Sequence, residues 1–116
     1  MYTHDIDYVI RTLGVGATYR GYRYLSYGIE LCLTDEEYLL AISKQLYPEI
    51  ARKYKTTVGS VERDIRTVIR VCWENGYDQL QSYSFRYYYM SVQRTGEFFD
   101  ILVAYLSRNK PVLQAV

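Results

Sequence analysis

The sequence predicts an all-α protein, a compact domain of about six helices that spans residues 1–116 and contains a helix-turn-helix. A length of 116 residues is typical of one domain. The composition, with 49% hydrophobic residues, 23% charged residues and only 2 prolines, is that of a folded globular chain. Apolar residues recur three and four positions apart along most of the chain, which indicates amphipathic helices. The alternation typical of strands is absent outside residues 78–92, a stretch that the pattern leaves unclassified.

Four helices are predicted before the basic part of the chain. The first two cover about 5–13 and 18–33, on either side of a break between Gly14 and Gly21. A third, short helix follows Thr34, whose hydroxyl precedes three acidic residues, because a helix N-terminus favours a capping hydroxyl and negative charge. A fourth covers about 43–54, and Pro48 requires this helix to begin or bend there.

The longest predicted helix runs from about 58 to 75. Thr57 is a favourable N-cap, and Asn75-Gly76 is a standard helix stop. One face of this helix is apolar and carries Val61, Ile65, Val68, Ile69 and Cys72. Another face is polar and mainly basic, and within about 100° of the helix circumference it carries Glu62, Arg63, Arg66 and Arg70. Thr95 opens the last predicted helix.

The formal net charge of +1 conceals two segments of opposite charge. Residues 29–49 contain five acidic residues and one lysine, whereas residues 52–70 contain six basic residues and two acidic ones. The basic segment covers the end of a short helix, a turn of about four residues from Lys55 to Val58, and the long helix. This is the layout of a helix-turn-helix, predicted over about 43–75, whose second helix enters the DNA major groove.

The residue types on the long helix suit base recognition. Arginine can donate two hydrogen bonds to guanine, and glutamate can accept one from the cytosine amine. Glu62, Arg63 and Arg66 are therefore the candidate base readers. The pattern also fits an ordinary surface helix in which Glu62 and Arg66 form an i,i+4 ion pair, and spacing alone leaves both interpretations open.

Two longer runs carry a resemblance to a known family. They are Leu46-Tyr-Pro-Glu-Ile-Ala-Arg-Lys-Tyr-Lys-Thr-Thr and Val61-Glu-Arg-Asp-Ile-Arg-Thr-Val-Ile-Arg, the second followed by Trp73. Together with Arg20-Gly-Tyr-Arg-Tyr-Leu upstream and Glu97-Phe-Phe downstream, they closely resemble the effector domain of the sporulation response regulator, stage zero sporulation protein A. The resemblance implies an all-helical, DNA-binding domain with a helix-turn-helix, from a family that controls entry into sporulation in Firmicutes.

The resemblance also assigns roles to residues of this chain. The family's base-contacting Glu-Arg and the Arg that follows them fall on Glu62, Arg63 and Arg66. The turn threonines of the family match Thr56 and Thr57, which are expected beside the DNA backbone, where hydroxyls contact phosphates. Two arginines are expected at the backbone as well, Arg70 on the same basic face and Arg94 in a shortened loop before the last helix.

The chain departs from the family at three points. Gly59-Ser60 replaces the usual Ser-Arg before Val61, which removes one basic reader and places a glycine in the first turn of the long helix. Asp64 adds an acidic group near the readers. The phosphoacceptor receiver domain of the family has no counterpart in these residues, so we expect an effector domain that acts as a stand-alone chain.

Together these features predict a sequence-specific DNA-binding transcriptional regulator. Its expected partner is double-stranded DNA, and the family implies self-association on tandem sites. The alternative is a protein-interaction module that retains the fold and modulates a full-length regulator without binding DNA itself. No enzyme is predicted, because no set of nucleophile, base and orienting residue can be assembled and His4 is the only histidine.

No metal, cofactor, small-molecule substrate or membrane is expected as a partner. Cys32 and Cys72 are far apart in the sequence and lie on apolar helix faces, which predicts buried free thiols. The N-terminus lacks the basic and then apolar pattern of a signal peptide, and the longest apolar run, Ile101 to Leu106, is too short to cross a bilayer. The expected location is the cytoplasm.

Overall fold

α-Helices dominate the parts of the chain that the computed structural model describes, residues 3–83 and 95–115, with side chains over 5–83 and 95–108. These ranges contain six α-helices and no strand. In chain order they are α1 (Thr3–Thr12), α2 (Gly21–Thr34), α3 (Tyr47–Tyr54), α4 (Val58–Asn75), α5 (Tyr77–Tyr83) and α6 (Thr95–Ala115). A short 3-10 helix, Glu36–Leu40, and a π-helical turn, Ile42–Leu46, lie between α2 and α3. The predicted all-α class is confirmed.

One hydrophobic cluster joins all six α-helices. Its fully buried side chains include Ile29 of α2, Ile50 of α3, Ile65 of α4, and both Phe98 and Phe99 of α6. α6 contacts α1, α2, α4 and α5. Because each such side chain contributes roughly 1.5–3 kcal/mol when buried, the positions of α3 and α4 depend on the whole core.

The backbones of α2 and α4 approach each other closely where the two helices cross. A Cβ atom on Gly21, the first residue of α2, would lie 2.3 Å from the carbonyl oxygen of Asp64 and 3.1 Å from Cγ1 of Val68. No side chain fits in that space. The crossing therefore fixes the N-terminal half of α4 directly against the start of α2.

α4 has the predicted bounds and both predicted caps. At its start, the hydroxyl of Thr57 accepts a hydrogen bond of 3.0 Å from the backbone N–H of Ser60. At its end, the N–H of Gly76 donates to the carbonyl of Cys72 at 2.8 Å. A Cβ atom on Gly76 would lie 2.8 Å from Cα of Leu13, so a glycine is also needed for α4 to end against the end of α1.

α2 begins three residues later than predicted, at Gly21. The preceding residues form turns, in which the N–H of Tyr19 donates to Gly16 and the N–H of Tyr22 donates to Tyr19, both at 3.1 Å. The helical spacing of apolar residues extends upstream of Gly21, but these turn hydrogen bonds and the contact with α4 determine where the helix starts.

The short helix after α2, Glu36–Leu40, is capped by a different residue from the one predicted. Thr34 is the last residue of α2, and its hydroxyl donates to the carbonyl of Glu30 at 3.0 Å. Asp35 is the N-cap instead, because its Oδ1 accepts a hydrogen bond of 3.0 Å from the N–H of Glu37. The short helix that follows is a 3-10 helix.

The predicted fourth helix is divided near Pro48. A π-helical turn comes first, and α3 then begins at Tyr47 with the proline in its first turn, where the missing N–H leaves no helical hydrogen bond unmade. α5 covers the start of the stretch 78–92, where the sequence pattern allows a short helix, and it begins one residue earlier, at Tyr77. The tyrosine run at 87–89 lies outside the described residues.

We expect Gly21→Ala to destabilise the fold by about 1–3 kcal/mol, because the new methyl group would overlap a backbone carbonyl that has no free rotation. Urea unfolding followed by circular dichroism measures this change. Gly59→Ala is the matched control, since its Cβ would meet only Thr57 Oγ1 at 4.0 Å. The control should gain about 0.5 kcal/mol from the better helix former. Equal stability of the two variants would contradict the close crossing of α2 and α4.

Both cysteines should be unreactive in the folded protein. Cys32 and Cys72 are free and fully buried, and burial raises the pKa of each thiol to about 12. Because the thiolate is the reactive form, we expect no reaction with a disulfide reagent at about pH 8, near the ordinary thiol pKa. Both thiols should react after unfolding in guanidinium chloride. Release of thionitrobenzoate measures the reaction, and one equivalent from the folded protein would contradict the prediction.

Candidate nucleic-acid interface

α3 and α4 form a helix pair joined by the three residues 55–57. Lys55 is the C-cap that follows α3, and its backbone has the left-handed conformation, with φ 54° and ψ 50°. The N–H of Thr56 then donates to the carbonyl of Ala51 at 3.0 Å, which closes the turn. The turn is one residue shorter than predicted, because Val58 already belongs to α4. α3 packs against α4, so the pair has the connectivity predicted for a helix-turn-helix.

The two turn threonines differ in what their hydroxyls do. The hydroxyl of Thr57 caps α4 and also donates to Oγ of Ser60 at 3.0 Å. The side chain of Thr56 is half-buried and makes no hydrogen bond to the residues whose side chains are described. Thr56 therefore has the hydroxyl that is more readily available to an external group.

α4 separates an apolar face from a charged one. Val61, Ile65, Val68, Ile69 and Cys72 are buried in the core, as their spacing predicts. Glu62, Arg63, Arg66 and Arg70 are exposed on the other side. The side chains of Arg63 and Arg66 are each 64% accessible to solvent, so both guanidinium groups are free to meet a large partner.

The carboxylate of Glu62 is already occupied by a neighbour on α4. Nη2 of Arg66 lies 2.7 Å from Oε2 of Glu62, and both side chains are exposed. This is the i,i+4 ion pair that the sequence leaves open as an alternative. Exposed pairs of this kind contribute only about 0.3–0.5 kcal/mol, so the pair keeps Arg66 on the surface without holding it there firmly.

Arg63 has weaker contacts than Arg66. Its Nη2 lies 3.5 Å from Oγ of Ser60, and its Nε lies 3.8 Å from Oδ1 of Asp64. Arg70 makes no ion pair with the side chains described over 5–83 and 95–108. Arg63 and Arg70 thus present donors that are largely uncommitted, whereas one donor of Arg66 is engaged by Glu62.

Asp64 lies at the edge between the two faces of α4. Its side chain is only 15% exposed, and its carbonyl oxygen marks the crossing with α2. Its Oδ2 is buried and has no hydrogen-bond partner among the described residues. Asp64 therefore contacts only Arg63 among the candidate readers, and it does not lie among them on the exposed face.

The structure also brings a residue of α2 to this region that the sequence pattern does not place there. Arg23 of α2 lies over the ring of Tyr54 at the end of α3, with Cζ 5.7 Å from the ring centroid. Lys53 of α3 lies over the same ring, with Nζ 5.7 Å from the centroid. The alternation of arginine and tyrosine from Arg20 to Tyr24 is the only sequence signal for this contact. Arg94, predicted at the DNA backbone, lies outside the described residues.

Neither a metal site nor a membrane-spanning helix is present in the described residues. Among their side chains, no group of three or more His, Cys, Asp or Glu residues is arranged to hold a metal ion. None of the helices within 3–83 and 95–115 combines the length and the apolar character required to cross a bilayer.

Comparison with known families identifies the chain. The family model described as Sporulation initiation factor Spo0A C terminal matches residues 6–106, from the middle of α1 to the middle of α6. The match includes the whole of α3, the turn and α4. Members of this family are all-α, DNA-binding regulatory domains rather than enzymes, in agreement with the helical fold and with the basic face of α4. The chain belongs to the family of Spo0A C-terminal domains, the DNA-binding effector domains of a transcriptional regulator of sporulation.

Proposed function

We propose that this protein is a sequence-specific DNA-binding transcriptional regulator that inserts α4 into the major groove. One observation carries the proposal. α4 follows a tight, capped turn, buries its entire apolar face, and exposes three arginines on the face that remains. A helix held in this way presents a fixed row of donors to the base edges, as the second helix of a helix-turn-helix does.

The proposed base readers are Glu62, Arg63 and Arg66. Each arginine can donate two hydrogen bonds to O6 and N7 of a guanine, and Glu62 can accept from the amine of a cytosine or orient Arg66. On binding, Arg66 exchanges its contact with Glu62, 2.7 Å long in the free protein, for a contact with a base. Because this ion pair is exposed, the exchange costs little free energy.

The proposed backbone contacts lie around these readers. Thr56 has an uncommitted hydroxyl, and Arg70 is exposed two helical turns beyond Glu62. Thr57 contacts a phosphate in this proposal only if its hydroxyl proton leaves Ser60. Arg94 completes the set on the strength of the family resemblance. Such contacts fix the position of the protein on the duplex without reading its sequence.

Fluorescence anisotropy tests the proposal with two duplexes, one carrying the recognition box of the family and one with the same bases scrambled. Each is titrated at about 50 and 200 mM salt, because phosphate contacts release counterions and weaken as salt rises. We expect tight, salt-sensitive binding to the box and weaker binding to the scrambled duplex. A duplex with two boxes in tandem should bind at a lower protein concentration if copies associate side by side.

Absence of binding to both duplexes would refute the proposal and favour the protein-interaction module. Equal binding to both duplexes would refute the sequence specificity alone.

We expect Arg63→Ala to weaken binding to the box by about 1–3 kcal/mol and to relax the base preference at one position, as is typical of a bidentate reader. Arg70→Ala should instead weaken binding to both duplexes by a similar factor, because a phosphate contact carries no sequence information. Anisotropy titrations of the two variants measure both effects. Each substitution replaces an exposed side chain on a helix, so the fold should be retained.

Lys44→Ala is the matched control for these two arginine variants. Lys44 is exposed, and it lies in the π-helical turn before α3, away from α4. The affinity of the Lys44→Ala variant for both duplexes should equal that of the wild type. Unchanged box affinity in Arg63→Ala would exclude Arg63 as a reader.

A further inference from the structure

Three tyrosines pack together where α2 meets the end of α3. The ring of Tyr54, the last residue of α3, lies 5.4 Å from the ring of Tyr24 and 6.0 Å from the ring of Tyr27, measured between centroids. The second pair is edge-to-face, with an interplanar angle of 86°. Aromatic pairs in this range of distances hold each other in place. The three rings therefore form a packed aromatic platform that joins the two helices.

Two cations lie on this platform. Nζ of Lys53 is 5.1 Å from the ring centroid of Tyr27, and Cζ of Arg23 is 5.7 Å from that of Tyr54. Both residues are exposed to solvent. A ring face attracts a cation within about 6 Å and orients it without neutralising its charge. We call these five residues the tyrosine–cation cluster: Arg23, Tyr24, Tyr27, Lys53 and Tyr54.

The carboxylates near the cluster do not form ion pairs with its cations. Glu49 is bound to Arg52, whose Nε donates to Oε1 at 3.0 Å, and it also accepts a hydrogen bond of 3.2 Å from the hydroxyl of Tyr27. Burial is the main cause that raises the pKa of Tyr54, and Glu30, which acts on the cluster only through space, adds to it with its charge. Within the side chains described, Lys53 and Arg23 therefore form no ion pair. The charge of Lys53 acts on Glu49 only through space, where it adds to the lowering of the Glu49 pKa that the hydrogen bond from Arg52 mainly causes.

Each cation of the cluster lies close to a residue at which the chain enters or contacts α4. Lys53 lies two residues before Lys55, where the turn into α4 begins. Arg23 lies two residues after Gly21, at which α2 crosses α4 beside Asp64, the neighbour of Arg63. In a helix-turn-helix the first helix crosses the DNA backbone while the second enters the groove. Two oriented cations at the end of α3 and the start of α2 are placed as backbone contacts would be.

We infer that Lys53 and Arg23 bind phosphates of duplex DNA next to the site that α4 reads. The inference rests on the proposed function, and it adds a second basic surface contributed by α2 and α3. The tyrosines position the two cations, which reduces the side-chain entropy lost when a phosphate is bound. The alternative is that the cations serve only to hold α2 against α3.

The salt dependence of binding separates these two roles. Arg23→Gln, Lys53→Gln and the double variant are titrated with the box and scrambled duplexes over a range of salt concentrations. The slope of log affinity against log salt is negative, and each lost phosphate contact should reduce its magnitude by about 0.9. The double variant should therefore lose about twice that magnitude. Both duplexes should lose affinity by the same factor. Lys44→Gln, exposed but outside the cluster, should keep the wild-type slope.

A second pair of variants and a second measurement guard against an effect on folding. Arg23→Lys and Lys53→Arg retain the charges and should retain the slope. Phosphate-ethylation interference should show positions at which ethylation weakens the wild type but not the double variant. If the double variant keeps the wild-type slope and interference pattern, the inference is wrong while the proposed function stands. If the wild type binds neither duplex, the proposed function fails and the inference fails with it.

Discussion

The contact between α2 and α4 at Gly21 determines which residues this protein presents on its surface. With no side chain at that position, the two backbones approach until the carbonyl of Asp64 meets the start of α2. The apolar face of α4, with Ile65 and Val68, is then closed against the core. A helix with one face buried in this way has a single rotation about its axis available, so packing, and not charge, directs Arg63 outward. The outward direction of the charged side chains therefore depends on the packing of core residues that they do not contact.

The basic surface combines two ways of holding a cation. On α4 the contacts are loose: Arg66 pairs with an exposed Glu62, and the contacts of Arg63 at 3.5 and 3.8 Å are longer than a strong hydrogen bond. On α2 and α3 the cations lie on fixed aromatic rings. Loose side chains can adapt to base edges, whereas oriented ones suit a regular backbone of phosphates. Under the proposed function, the loose side chains would meet base edges and the oriented ones would meet phosphates, which are contacts with different geometric demands.

The sequence predicted elements whose signals are local and missed those set by distant contacts. Both ends of α4 were predicted because Thr57 bonds a residue three positions on and Gly76 directly follows the helix. The exposure of Glu62, Arg63 and Arg66 was predicted for the same reason, because helical spacing is a local signal. The predicted start of α2 was wrong, and the sequence did not predict that Arg23 approaches Tyr54. Each depends on a contact between distant parts of the chain. Thr34 and Asp35 are both good caps, and only the completed last turn of α2 decides between them.

The left-handed conformation of Lys55 links the stability of the turn to its charge. A residue other than glycine in this conformation costs roughly 1–2 kcal/mol, because Cβ approaches the following carbonyl oxygen. Glycine would remove that strain, but it would also remove a positive charge at the entrance to α4. Under the proposed function these two effects oppose each other at a single position, as stability and activity often do. Engineering for heat resistance would select glycine there, whereas a basic surface for DNA would favour the lysine.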